Sequence, residues 1–144
     1  MPPPAYFDTS VLVKRYVVEP GARQAPDLLR RFRILSSKVA LLEATSAAYR
    51  RTMLGELAPR ALDAIVARLA TDRRHWELLD VDDPLLARAE ALIREVPIAV
   101  LDAIHVASAL TFVEALERPV PFVTSDARQR DAAERFALHV VWVA

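Results

Sequence analysis

The feature that most constrains the fold is an alternation of short apolar segments with longer segments of helical periodicity. Apolar runs with strand character occur at residues 5–8, 33–37, 76–81, 120–126 and 139–143. Strands that are apolar along their length are typical of a parallel sheet that helices cover on both faces. We therefore predict an α/β fold, a three-layer sandwich with a central parallel sheet of about five strands.

The segments between these strands carry apolar residues at the three- and four-residue spacing of helices. The predicted helices cover residues 10–18, 25–32, 38–53, 57–70, 82–96 and 100–117, with a further helix after Asp126. Asp83 is the predicted N-cap of the fifth helix, with Pro84 at its first helical position, and Asp126 is the predicted N-cap of the last. The helix at 100–117 is apolar on most sides, which predicts that it is buried.

Composition narrows the class of protein. The 144 residues are enough for one domain with its own core, so we predict a single domain over residues 1–144. The 19 basic and 19 acidic residues balance, so no global positive charge indicates nucleic-acid binding. The absence of cysteine excludes disulfides and thiolate metal sites, and two glycines are too few for a phosphate-binding glycine loop. Without a signal peptide or a membrane-spanning apolar run, we expect a soluble cytoplasmic protein with no membrane partner.

Four acidic residues occur in apolar surroundings rather than on polar helix faces. Asp8 and Asp126 each end an apolar strand, Glu43 lies inside a helix, and Asp102 lies near the start of the most apolar helix. In a parallel α/β sheet, strand carboxyl ends and the following helix starts gather at one edge, where ligands bind. Carboxylates brought close together raise one another's pKa. A hard cation such as Mg²⁺ or Mn²⁺, which prefers oxygen ligands, would relieve this repulsion.

Each acid taken alone also has a structural explanation. Asp8 and Asp126 could be helix N-caps, and Glu43 could be a partly exposed helix residue. Asp102 is the hardest to explain in this way because its neighbours are apolar on both sides. His105 lies one turn after Asp102 and is either a structural hydrogen-bonding partner or a residue that orients Asp102.

Four segments, YFDTSVLVKRY, SSKVALLEATSAAYRR, LDAIHVASAL and FVTSDARQRDAA, occur in this order between residues 6 and 133. They resemble the motifs of the PIN domain family of metal-dependent ribonucleases, and in particular the VapC-type toxins of bacterial toxin–antitoxin pairs. The resemblance covers nearly the whole chain. It implies a PIN-like fold and the hydrolysis of RNA phosphodiester bonds.

The resemblance also implies which residues form the site. The family's catalytic and metal-binding acids fall on Asp8, Glu43, Asp102 and Asp126, with Mg²⁺ as the cofactor and Mn²⁺ as its substitute. Asp8 and Asp102 are the expected direct ligands, and the other two would complete the site directly or through water. The polar residues expected to support these acids are Thr9, Ser10, Thr124, Ser125 and His105.

The partners that the resemblance implies are an RNA substrate, a cognate antitoxin and a second copy of the chain. We expect the antitoxin to bury exposed apolar surface within residues 10–32. The arginine-rich runs at 30–33, 50–51 and 73–76 are either RNA or antitoxin surfaces or solvated helix faces.

Other functions remain as alternatives. A catalytically silent PIN-like module that binds RNA or protein would be favoured by a missing acid, but all four are present. A phospho-receiver domain needs a lysine late in the chain, and none follows Lys38. A haloacid-dehalogenase-type phosphatase needs a second aspartate two residues after the first, where this chain has Ser10.

Overall fold

A computed structural model describes all 144 residues and contains one sheet of five parallel strands. The strands are β1 (Pro4–Phe7), β2 (Arg33–Ser37), β3 (Glu77–Leu79), β4 (Phe122–Thr124) and β5 (Val140–Trp142). Their order across the sheet is β3-β2-β1-β4-β5. The strand order therefore reverses at β1 and β4, which places a ligand-binding crevice beyond the carboxyl ends of these two strands.

Seven α-helices flank the sheet. They are α1 (Thr9–Leu12), α2 (Ala25–Arg31), α3 (Val39–Met53), α4 (Pro59–Asp72), α5 (Asp83–Glu95), α6 (Val100–Leu116) and α7 (Ala127–Arg135). Short 3-10 turns extend α1 at Val13–Arg15 and α4 at Arg73–His75. The prediction of an α/β fold around a parallel five-stranded sheet is confirmed.

The core lies on both faces of the sheet, because successive strand residues point to opposite sides. Tyr6 and Phe122 face one side and pack into a cluster with α5, α6 and α7. Phe7 and Val123 face the other side and pack with α1, α2 and the start of α3. Helix α6 carries eight buried residues, so the prediction that it is a buried helix is confirmed. This burial anchors α6 in the core from Ala103 onward, directly after Asp102.

Several predicted helix ends differ from the structure by one or two residues, and two differences have a clear physical cause. The helix predicted at 10–18 is shorter, since α1 tightens into a 3-10 turn and the β-branched Val17 and Val18 before Pro20 do not favour more helix. The prediction that Asp83 is the N-cap of α5 is wrong. The cap is Asp82, whose carboxylate accepts a hydrogen bond from the Leu85 backbone N–H at 3.0 Å.

The exposed apolar surface expected within residues 10–32 is not there. Most large apolar side chains of this region are buried in the core, and Val18, at 93% exposure, is the exception. Exposed apolar side chains lie instead along α3, at Leu42, Tyr49 and Met53. Amphipathic periodicity alone could not show this, because it does not reveal which neighbours cover a short helix.

No single helix is long and apolar enough to cross a membrane. Only α5 and α6 taken together reach that length and composition, and they are bent by 116° at the break between them.

Candidate active site

Asp8 follows β1 directly and is almost completely buried. It stands at the N-cap position of α1, yet its side chain makes no capping hydrogen bond. Instead, Ser10 Oγ donates to Asp8 Oδ1 and Thr124 Oγ1 donates to Asp8 Oδ2, both at 2.6 Å. The helix-cap explanation of Asp8 is therefore wrong, because the carboxylate joins the ends of β1 and β4 at the reversal of strand order.

Burial raises the pKa of Asp8 to about 6. The nearby charge of His105 and the hydroxyls of Ser10 and Thr124 oppose this shift, whereas the charge of Asp126 adds to it. Ionisation of Asp8 therefore costs more in the folded protein than in an exposed aspartate, and a nearby positive charge would lower that cost. A carboxyl group perturbed in this way, at a crevice, is typical of functional sites.

The end of β4 is tied to the same carboxylate. Ser125 donates its backbone N–H to Ser10 Oγ at 2.9 Å, and Asp126 donates its backbone N–H to Thr124 Oγ1 at 3.0 Å. Asp126 also caps α7, since its Oδ1 accepts from the Arg128 backbone N–H at 2.8 Å. The prediction that Asp126 is an N-cap is confirmed, and only one of its two carboxylate oxygens is used for this purpose.

Asp102 lies in the first turn of α6 and is only partly exposed. Burial and then the charge of Asp126 raise the pKa of Asp102, and the charge of Glu43 adds to the effect. The charges of His105 and Arg128 act in the opposite direction. Acids from the end of β1, α3, α6 and the end of β4 are thus near enough to influence one another electrostatically.

His105 holds Glu43 rather than Asp102. The His105 Nε2 atom lies 2.6 Å from Glu43 Oε1, and Thr9 Oγ1 donates to the same oxygen at 2.8 Å. Of the two roles considered for His105, the structure supports the hydrogen-bonding partner, because no hydrogen bond joins His105 to Asp102. Residues one turn apart on a helix can share a face, but the buried imidazole reaches across to α3.

Tyr6 completes this buried chain from the other side of the imidazole. Its hydroxyl lies 2.7 Å from His105 Nδ1. Burial raises the pKa of Tyr6 well above its ordinary value, so the phenol stays protonated. Burial also raises the pKa of Glu43, but the hydrogen bond and charge of His105 and the Thr9 hydroxyl outweigh it and lower that pKa overall. Because ionised Glu43 can only accept, His105 Nε2 donates a proton to Glu43 Oε1, and His105 Nδ1 forms the hydrogen bond with the Tyr6 hydroxyl.

We expect Tyr6→Phe to destabilise the protein by about 1–3 kcal/mol, because it leaves a buried imidazole nitrogen without its partner. Urea denaturation measures this change. The matched control is Tyr49→Phe, since Tyr49 is exposed on α3 and should change stability by less than about 0.5 kcal/mol. Equal effects of the two substitutions would contradict the role of the Tyr6 hydroxyl.

The polar residues predicted around the acids have different roles. Thr9 and His105 contact Glu43, and Ser10 and Thr124 contact Asp8. Ser125 contributes its backbone N–H rather than its hydroxyl. No three acidic or histidine side chains converge closely enough to hold one ion between them.

Two residues of this region were missed in the sequence. Tyr6 stands two residues before Asp8, so both side chains point to the same face of β1, and a buried tyrosine hydroxyl needs a partner. Arg128 follows the Asp126 cap, and its charge acts on Asp102. The arginine runs singled out in the sequence did not include it.

A sequence model of the PIN domain family matches residues 5–135. The chain belongs to the PIN domain family. The matched region contains all four acids and every strand except β5 and the first residue of β1. No curated protein is similar enough in sequence to count as a relative.

Solved structures share the fold of this PIN domain at low sequence identity. A toxin-antitoxin complex from Klebsiella pneumoniae contains a chain with a TM-score of 0.60 and 16% identity, and the match covers 87% of this chain and 88% of that one. FitAcB from Neisseria gonorrhoeae gives a TM-score of 0.62 and 18% identity, with 94% and 95% covered. A member of the VapBC family of toxin-antitoxin systems from Mycobacterium tuberculosis gives 0.54 and 20%, with 99% and 98% covered.

Proposed function

We propose that this PIN domain is a metal-dependent endoribonuclease and the toxin of a toxin–antitoxin pair. The observation that carries the proposal is the buried Asp8 carboxylate, whose pKa burial raises to about 6 at the crevice between β1 and β4. Asp102 and Asp126 add negative charge to the same place. A fold that concentrates carboxylates where they repel one another is suited to a cation.

The donor atoms suit Mg²⁺ or Mn²⁺, since every candidate ligand is a carboxylate oxygen. Mg²⁺ usually binds one or two carboxylates and keeps several waters, so it does not require three convergent side chains. Asp8 and Asp102 would hold the ion directly, and Glu43 and Asp126 would complete the site directly or through water. When bound, such an ion supplies positive charge to the phosphate oxygens and acidifies a water molecule.

The protein's own groups would orient and hold these ligands. The hydroxyls of Ser10 and Thr124 fix both oxygens of Asp8. His105 and Thr9 fix one oxygen of Glu43, which leaves Glu43 Oε2 without a protein partner and available to the crevice. Fixed ligands of this kind reduce the reorganisation needed when substrate binds.

The role of toxin is supported by the names of the structural neighbours, two of which are described as parts of toxin-antitoxin systems. An antitoxin, an RNA substrate, a homodimer, a cytoplasmic location and a single domain over residues 1–144 belong to the same proposal. The exposed apolar side chains of α3, at Leu42, Tyr49 and Met53, offer more surface to a protein partner than residues 10–32 do.

Removal of divalent metal should abolish RNA cleavage by the purified protein, and Mn²⁺ or Mg²⁺ should restore it. We would titrate Mn²⁺ into the metal-free protein by calorimetry and assay total RNA with EDTA, Mg²⁺ or Mn²⁺. Metal binding together with metal-dependent cleavage is the expected result. Cleavage that persists in EDTA, or the absence of metal binding, would contradict the mechanism and favour a silent binding module.

A further inference from the structure

A cavity of about 440 Å³ adjoins Asp102 on the side of α7. One wall is the partly apolar segment 96–99 that leads into α6, and the other is a face of α7 that carries Arg128 and Arg135. Its volume lies within the ~300–1,000 Å³ range of sites that bind small ligands. The cavity is therefore large enough for one monomer of a polymeric substrate, and the next monomer along that polymer would reach the acids of the candidate active site.

The two arginines of this cavity are free to bind an anion. Arg128 and Arg135 are seven residues apart, so they share one face of α7, and neither forms an ion pair within the protein. Asp131 also lines the cavity, but Arg130 pairs with it at 3.1 Å. The guanidinium group suits phosphate because it presents several N–H donors in one plane.

The opposite wall suits a different part of the same ligand. Val96 and Ile98 are partly buried and present apolar surface beside the guanidinium groups. An unpaired nucleobase packs against apolar side chains and stacks on arginine, whereas the bases of a duplex are not accessible for such contacts. Phosphate binding and base binding are thus available within one cavity next to Asp102.

We propose that this cavity binds one nucleotide of single-stranded RNA next to the phosphodiester bond that is cleaved. Arg128 binds its phosphate, Arg135 extends the positive surface along the strand, and segment 96–99 contacts the base. The inference rests on the proposed ribonuclease function and identifies where the substrate enters.

The test measures RNA binding in EDTA, so that neither metal nor cleavage affects it. The probe is a fluorescein-labelled single-stranded RNA dodecamer, followed by fluorescence anisotropy at several salt concentrations. The double variant Arg128→Gln/Arg135→Gln is compared with wild type and with Arg60→Gln/Arg118→Gln. The control removes the same number of charges from exposed arginines on α4 and just after α6, neither of which lines the cavity.

We expect the cavity variant to bind the RNA at least about tenfold more weakly than wild type. We plot the logarithm of the RNA association constant against the logarithm of the salt concentration. The slope of this plot should be smaller in magnitude by about 1.4 for the variant, which corresponds to two lost phosphate contacts on a single strand. The control variant should change both quantities much less. An abasic strand of the same length should bind wild type about tenfold more weakly than RNA does.

Equal weakening by the two double variants, or no RNA binding by wild type, would overturn the proposal. Tighter binding of a labelled decaglutamate peptide than of the RNA would also overturn it and would assign the cavity to an acidic protein segment. If the expected RNA pattern appears while metal-dependent cleavage fails, the cavity stands as an RNA site and only the proposed enzymatic function is lost.

Discussion

Asp102→Asn is expected to reduce metal-dependent RNA cleavage by at least about a thousandfold while the protein still folds. The side chain lies at the crevice on the buried helix α6, and its charge is disfavoured by burial and by Asp126. Loss of one metal ligand removes several kcal/mol of stabilisation of the developing charge, and each ~1.4 kcal/mol is a factor of ten in rate. Cleavage of total RNA and Mn²⁺ calorimetry measure the two losses.

Folding of the Asp102→Asn protein should be nearly unchanged. The substitution removes a charge that burial disfavours, which stabilises the folded protein. It also removes a carboxylate from the first turn of α6, and the lost interaction with the helix dipole destabilises the protein by about 0.3–1 kcal/mol. Asp63→Asn is a matched control because Asp63 is an exposed helix carboxylate on α4. Retention of cleavage by Asp102→Asn, or an equal loss in Asp63→Asn, would exclude Asp102 as a ligand.

The second large effect concerns the stability of the metal-free protein and its dependence on pH. The pKa of Asp8 is about 6 in the folded protein and 3.8 for the ordinary side chain. Between these values the folded state binds more protons than the unfolded state, so stability falls as pH rises. The full loss above about pH 6 is about 3 kcal/mol relative to acidic conditions.

Asp8→Asn removes this titration, so its stability relative to wild type should improve by about 2.5 kcal/mol between about pH 4 and pH 7.5. Urea denaturation in EDTA at both pH values gives the difference, and any constant effect of the amide on its hydroxyl partners cancels. Saturating Mn²⁺ should stabilise wild type and not the variant, since only the ligand-bearing folded state gains. A stability difference that does not change with pH would show that Asp8 ionises at an ordinary pKa.

The sheet and the positions of the acids were predictable because both depend on local pattern. Apolar runs ended by Asp8 and Asp126 indicate strands, and parallel strands place their carboxyl ends at one edge whatever the details of packing. The five strands and the cap at Asp126 follow from these rules. Strand lengths and the start of α5 were less accurate, because neighbouring aspartates 82 and 83 are both good caps.

The partner of His105 was not predictable from spacing. Its three-residue distance from Asp102 on one helix suggested a local contact, but its hydrogen bonds go to β1 and α3. The prediction of exposed apolar surface within residues 10–32 was wrong for the same reason. Elements far away in the sequence cover these residues. Arg128 was missed because its significance depends on the placement of α7 beside α6.

The hydrogen bond from Thr124 to Asp8 spans 116 positions of the sequence. Ribosomes synthesise a protein from its amino terminus at about 5–20 residues per second. Asp8 therefore leaves the ribosome several seconds before the hydroxyl that fixes its Oδ2 and the acid that follows it at residue 126. Until that segment is released and β4 pairs with β1, a nascent chain has an incomplete site. Any activity that depends on this site must then begin only after the segment around residue 126 has been translated, which gives the cell an interval before the site can act.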